Sequence, residues 1–186
     1  VPISPLRSFP NLLTLFRLLC GVVLFFLLHL SGGDPHHPAQ RVSVFLLIFA
    51  SLTDIWDGVL ARKMGVTFLG KVLDPTADKI LVYSILLPLT MWGKIPLWVL
   101  WVFLGRDFLV TSLRIVAVEE KKDISADWGG KGKTILQFIA LPLLLWETDL
   151  WFFSPSLLGE IFLYLSLILS CLSGARYFVV YFPKNG

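Results

Sequence analysis

Apolar residues fall into six long blocks separated by short polar breaks. The blocks cover about 11–30, 41–63, 72–92, 95–118, 134–152 and 156–182. A hydrocarbon layer about 30 Å thick is crossed by roughly 20 helical residues, so each block predicts one transmembrane helix. The breaks carry turn chemistry: Ser31-Gly32-Gly33-Asp34-Pro35, Trp92-Gly93-Lys94, Gly129-Gly130-Lys131-Gly132 and Ser154-Pro155-Ser156. Pro88 and Pro142 lie inside blocks, where neighbouring helices can satisfy the carbonyls they free. The first block is too long for a signal-peptide core and no small-residue cleavage pattern follows it, so it reads as a retained span. The expected fold is an all-α integral membrane protein, a six-transmembrane-helix bundle. It forms one domain over residues 1–186, with residues 1–10 along the cytoplasmic interface.

Composition strengthens this picture. The chain is 56% hydrophobic and only 16% charged, with a mean hydropathy of +0.78. That is too little charge to solvate the surface of a soluble domain of this size. The formal net charge of +3 raises the question of nucleic acid, but no basic tract or RNA-type aromatic motif is present. The basic residues instead sort by side. Arg7, Arg62, Lys63, Lys71, Lys121, Lys122, Lys131, Lys133 and Lys184 fall on one side of a six-span path, against Arg41 and Lys94 on the other. The positive-inside rule places the first side, with both termini, in the cytoplasm of an inner or plasma membrane. Cys20 and Cys171 both lie in apolar blocks and read as small buried hydrophobes. His29, His36 and His37 gather at the opposite end of the first span without a complementary ligand set.

Four aspartates change the picture more than any other residues. Asp54 and Asp57 are three apart near the end of the second block, and Asp74 and Asp78 are four apart at the start of the third. Each pair shares one helix face. An antiparallel turn between the blocks would gather all four at the cytoplasmic junction. Carboxylates in a span are costly and mark function, and four so close require cations to stay ionised. An all-oxygen set suits Mg²⁺ or Mn²⁺, and two ions about 4 Å apart would clamp a transferring phosphoryl group. The alternative is that the aspartates cap helices or pair with Arg62, Lys71 and Lys79; Asp74-Pro75 does have the form of a helix start. Gly58 would let a phosphate approach the helix backbone, and Arg62 can pair with a diphosphate.

Asp54, Asp57, Gly58, Ala61, Arg62, Gly70, Asp74 and Asp78 together resemble the signature of the CDP-alcohol phosphotransferases. All eight signature residues are present, and the spacer between Arg62 and Gly70 is one residue shorter than is usual. Further blocks resemble the branch that makes phosphatidylglycerophosphate: Pro10-Asn11-Leu12-Leu13-Thr14-Leu15-Phe16-Arg17, Leu73-Asp74-Pro75-Thr76-Ala77-Asp78-Lys79, Gly105-Arg106-Asp107 and Gly130-Lys131-Gly132-Lys133-Thr134.

The resemblance implies a six-helix homodimer in membrane lipid. Its donor is CDP-diacylglycerol and its acceptor is glycerol 3-phosphate. It implies that Asp54, Asp57, Asp74 and Asp78 hold two Mg²⁺ or Mn²⁺ ions, with Asp78 also the general base. It implies that Asn11, Thr14, Gly58, Arg62 and Thr67 contact CDP-diacylglycerol. Arg106, Arg114, Lys131 and Lys133 are the cations available for the acceptor phosphate. Arg106 has a competing reading as a buried pair with its neighbour Asp107, and Lys131 and Lys133 as ordinary positive-inside charges.

Phosphatidylglycerol as acceptor, in a cardiolipin synthase, and an inositol phosphate are the alternatives within the family. A cation transporter is the alternative outside it. A transporter would place its acidic residues near the midplane, on broken helices in repeated halves, whereas these cluster at one interface in one copy.

Overall fold

The computed structural model describes residues 5–64, 68–120, 128–146, 148 and 154–181. Within its helices, the side chains of residues 5–11, 13, 54–64, 68–75, 118–119, 128–129 and 131 fall outside that description. The described residues form six helices and no strand: α1 (Pro5–Ser31), α2 (Pro38–Met64), α3 (Phe68–Met91), α4 (Leu97–Glu119), α5 (Trp128–Trp146) and α6 (Pro155–Tyr181). Two of them, over Thr14–Ser31 and Pro155–Tyr181, are long and apolar enough on their own to cross a membrane.

Four of the six expected blocks match a helix to within four residues, and α1 begins at Pro5, six residues before its block. The fifth is displaced. Gly129-Gly130-Lys131-Gly132, expected as a turn, lies inside the first turns of α5, and the helix ends at Trp146 instead of continuing to 152. Glycine costs least at a helix start, where several N–H groups have no intrahelical partner in any case. Thr134 reinforces the local helix by donating its hydroxyl to the Gly130 carbonyl at 3.2 Å.

α1 packs chiefly on α3 and also on α2, α5 packs most extensively on α6, and α4 leans on α6. The α5–α6 contact is close because position 159 carries no side chain. A Cβ on Gly159 would stand 2.9 Å from the Leu144 backbone nitrogen, the small-residue device by which membrane helices approach. The core between the helices is aliphatic, built from Leu24, Leu28, Leu47, Leu81, Ile85, Phe103, Leu141 and Leu163 among others. The outer surface is apolar too: Phe26, Phe45, Trp101, Phe108, Ile168 and Val179 are all exposed.

Buried polar groups are present at the same time, among them Arg17, Asp107, Lys133, Gln137 and Ser173. Apolar outside with charge inside fits a protein solvated by lipid. Cys20 is buried as expected, but Cys171 is exposed, a correction to its reading as a buried residue. The thiol shares an exposed, apolar side of α6 with Ile168 and Leu172.

One end of the bundle is closed by a polar cap. α5 ends at Trp146, so the Leu145 carbonyl lies in its last turn, where carbonyls take partners from outside the helix. Gln40 of α2, itself buried, donates its amide to that carbonyl at 3.0 Å. Ser31 at the end of α1 donates its hydroxyl to the Leu28 carbonyl at 2.7 Å and lies 3.3 Å from Gln40 Oε1. Three helices are thereby tied together at the His-bearing end. The aspartates belong to the other end.

Candidate active site

Asp54 and Asp57 lie on α2, and Asp74 and Asp78 on α3. The side chains of the first three, with those of Asn11, Gly58 and Arg62, fall outside the described residues, as does Thr67 entirely. Among the described residues no three His, Cys, Asp or Glu side chains come together. The donor chemistry at Asp78 fits a hard divalent cation: it is a carboxylate that keeps a third of its side chain accessible, at 33%.

Asp78 is held from a direction the sequence did not announce. Arg17 of α1 donates Nη1 to Asp78 Oδ1 at 2.6 Å. The Arg17 side chain is only 2% exposed. A guanidinium this deep is stable only when paired, and the pairing fixes which way the carboxylate faces. Thr14, three residues earlier on the same face of α1, is buried as well. The two helices that carry Asp54, Asp57, Asp74 and Asp78 both pack on α1.

A second polar cluster centres on Asp107 of α4. Its Oδ1 accepts from Lys133 Nζ of α5 at 2.6 Å and from Arg106 Nη1 at 3.1 Å. Its Oδ2 accepts from the Tyr83 hydroxyl of α3 at 3.1 Å. Its backbone carbonyl accepts from the Thr111 hydroxyl at 2.7 Å and from Lys79 Nζ of α3 at 3.4 Å. Lys79 also donates to Thr111 Oγ1. One residue thus ties α3, α4 and α5.

Arg106 extends the tie to α6. Its Nε donates to the Ser170 carbonyl at 2.9 Å and its Nη2 to the Ser173 hydroxyl. The stem lies flat on α6 because residue 174 is glycine; a Cβ there would come within 3.2 Å of Arg106 Cγ. A cavity of about 360 Å³ between α4 and α6, walled by Trp101, Leu109 and Phe178, opens onto this stem.

Three of the four expected acceptor cations have described side chains. Arg106 and Lys133 converge on one carboxylate oxygen. Arg106 makes the pair with Asp107 that was its competing reading, and Lys133 is buried instead of standing in a loop. Arg114 turns to Tyr177 of α6, donating to its hydroxyl and stacking 5.0 Å from its ring centroid. The Lys131 side chain lies outside the described residues. Sequence reasoning gave Tyr83 and Arg17 no role of their own, and Lys79 and Asp107 only that of pairing partners. For Lys79 and Tyr83 a signal existed, since residues four apart share a helix face. Lys79 has Asp107, Arg114 and Arg106 as its charged neighbours, so it belongs to the same field.

Comparison with known proteins decides the family. The family model for CDP-alcohol phosphatidyltransferases matches residues 7–172. The chain belongs to this family. A probable phosphatidylglycerophosphate synthase from Mycobacterium tuberculosis is 45% identical over 141 residues, which span 74% of this chain and 66% of that protein. A CDP-diacylglycerol–glycerol-3-phosphate 3-phosphatidyltransferase from Bacillus subtilis is 34% identical over 180 residues, 92% of this chain and 93% of the relative. The enzyme of that name from Rickettsia typhi is 31% identical over 175 residues, 93% and 96% of the two chains. As a CDP-alcohol phosphatidyltransferase the chain is an enzyme of phospholipid synthesis, associated with the membrane. The family match takes in both clusters, from Arg17 to Lys133 and onward to Ser170 of α6, whose carbonyl receives Arg106.

Proposed function

We propose that the chain transfers the phosphatidyl group of CDP-diacylglycerol to glycerol 3-phosphate, giving phosphatidylglycerophosphate and CMP. The observation that carries the choice of acceptor is the Asp107 cluster. Arg106 and Lys133 meet there on one carboxylate oxygen, Lys79 reaches the backbone carbonyl of the same residue, and Lys79 is covalently next to Asp78. Two positive charges remain uncompensated by Asp107, which suits a phosphate dianion better than a phosphodiester. The names of the relatives from Mycobacterium, Bacillus and Rickettsia support the same acceptor.

In this reading the acceptor hydroxyl attacks the phosphorus bound to diacylglycerol. A new phosphorus–oxygen bond forms as the bond to the CMP oxygen breaks, and CMP leaves. Asp78 takes the hydroxyl proton, with Arg17 keeping its carboxylate turned to the substrate. Asn11, Thr14, Gly58, Arg62 and Thr67 bind the CDP end of the donor. Arg106, Arg114, Lys131 and Lys133, joined by Lys79, receive the acceptor phosphate. Asp54, Asp57, Asp74 and Asp78 would hold two Mg²⁺ or Mn²⁺ ions, which supply charge neutralisation of the diphosphate and the departing phosphate. All six helices span the membrane, with the aspartates at the cytoplasmic face and a second copy of the chain beside the first.

The test is CMP release from CDP-diacylglycerol in mixed micelles, across glycerol 3-phosphate, phosphatidylglycerol and inositol phosphate. Glycerol 3-phosphate alone is expected to support turnover. Chelation with EDTA should abolish it, and Mg²⁺ or Mn²⁺ should restore it. Turnover that persists with every divalent ion removed would sink the metal assignment, and release with phosphatidylglycerol alone would sink the acceptor.

A further inference from the structure

Asp107 is the one residue of the cationic cluster whose charge has the wrong sign for binding a phosphate. By charge alone, a carboxylate among Lys79, Arg106 and Lys133 should repel an incoming dianion. Its geometry argues otherwise. The side chain is only 10% exposed, and the Lys133 and Arg106 side chains that meet its Oδ1 are 6% and 13% exposed. Two cations that deep, from different helices, would separate or turn toward water without a shared counter-ion. Tyr83 fixes the second oxygen at 3.1 Å, so the carboxylate cannot swing to follow either cation. The carbonyl of the same residue draws Lys79 in from α3.

Lys133 spends one of its ammonium hydrogens on Asp107, and an ammonium has three. The Arg106 guanidinium spends three of five, on Asp107, Ser170 and Ser173. Donors therefore remain on both after the carboxylate has set their positions. α4 has only light packing on α3, so this polar junction is a main link holding the cations of the three helices in register.

We propose that Asp107 is a positioning residue for the phosphorylated acceptor: it gathers Lys133, Arg106 and Lys79 so that the phosphate meets cations already in place. This rests on the acceptor reading given above. Preorganisation outweighs repulsion here because the donors would otherwise have to be collected from separate helices when the phosphate arrives.

The sign of one measurement separates the two views. Asp107→Asn keeps the shape and removes the charge. If the carboxylate merely opposes the phosphate, the variant binds the acceptor more tightly. If it positions the cations, KM for glycerol 3-phosphate rises roughly 10- to 100-fold. KM for CDP-diacylglycerol should stay within about 2-fold, since that substrate meets other residues. Calorimetric titration of the purified full chain with glycerol 3-phosphate, without CDP-diacylglycerol, should give the same weakening.

An unchanged or lower KM overturns the proposal, as does a loss confined to kcat. If Asp107→Asn does not yield a monodisperse protein in detergent, Tyr83→Phe serves. It leaves every charge in place, and should raise the same KM about 3-fold; no rise overturns the proposal. Wild-type protein that ignores glycerol 3-phosphate but uses another phosphorylated alcohol refutes the acceptor assignment alone, and the same comparison made with that alcohol decides the role of Asp107. An acceptor without a phosphate refutes both.

Discussion

Asp78 and Asp107 are both aspartates gripped at 2.6 Å by a buried basic side chain from another helix. They differ in what is left over. Asp78 remains one-third accessible at the α1–α3 junction, whereas Asp107 is enclosed by Lys133, Arg106 and Tyr83. A carboxylate that is held but open can still exchange protons or ligands; one that is held on every side can only organise its neighbours. On the proposed reaction the chain uses one residue type for two tasks, divided by enclosure more than by chemistry.

The largest effect should come from removing the open carboxylate. Asp78→Asn is expected to lower CMP release about 1000-fold or more, and also to lower the thermal stability of the detergent-solubilised protein, because it removes a counter-charge of the buried Arg17 guanidinium. A milder loss would mean that Asp78 resembles Asp107 more than the comparison allows. Next, Lys133→Met should raise KM for glycerol 3-phosphate roughly 30-fold while leaving KM for CDP-diacylglycerol nearly alone. Equal rises in both would erase the division between the clusters.

Arg17→Lys tests how much of the first site depends on direction. An ammonium keeps the charge and loses the rigid planar fork, so kcat should fall about 10-fold. An unaltered kcat would show that Asp78 needs only a positive neighbour. The smallest effect belongs to the opposite end. Gln40→Leu leaves the Leu145 carbonyl without its cap and should lower stability by about 1 kcal/mol in thermal unfolding, with kcat unchanged. A change in kcat there would mean that the two ends of the bundle are coupled.

The helices were legible because long apolar blocks parted by short polar breaks record them directly. The start of α5 was not, since glycine signals a turn and a tolerant helix start with the same letters; what decides between them is a contact, Lys133 reaching Asp107 on another helix. The aspartate pairs were legible in kind because residues three or four apart share a face. Their side-chain arrangement, apart from Asp78, stays an expectation of the sequence. Arg17 and Asp78 are 61 positions apart and Lys133 and Asp107 are 26 apart. No periodicity within one helix reports a partner on another. Asp107 was noticed only as a neighbour of Arg106, and its links to Tyr83 and Lys79 arise purely from packing.

Lys79 follows Asp78 without a residue between them, on a helix that rises about 1.5 Å per residue. On the proposed reaction, α3 then works as a fixed ruler: the group that accepts the proton and a group that grips the phosphate cannot drift apart. Alcohols whose hydroxyl stands much farther from their phosphate would overshoot the gap, and discrimination would follow from molecular length before any contact with the carbon skeleton is made.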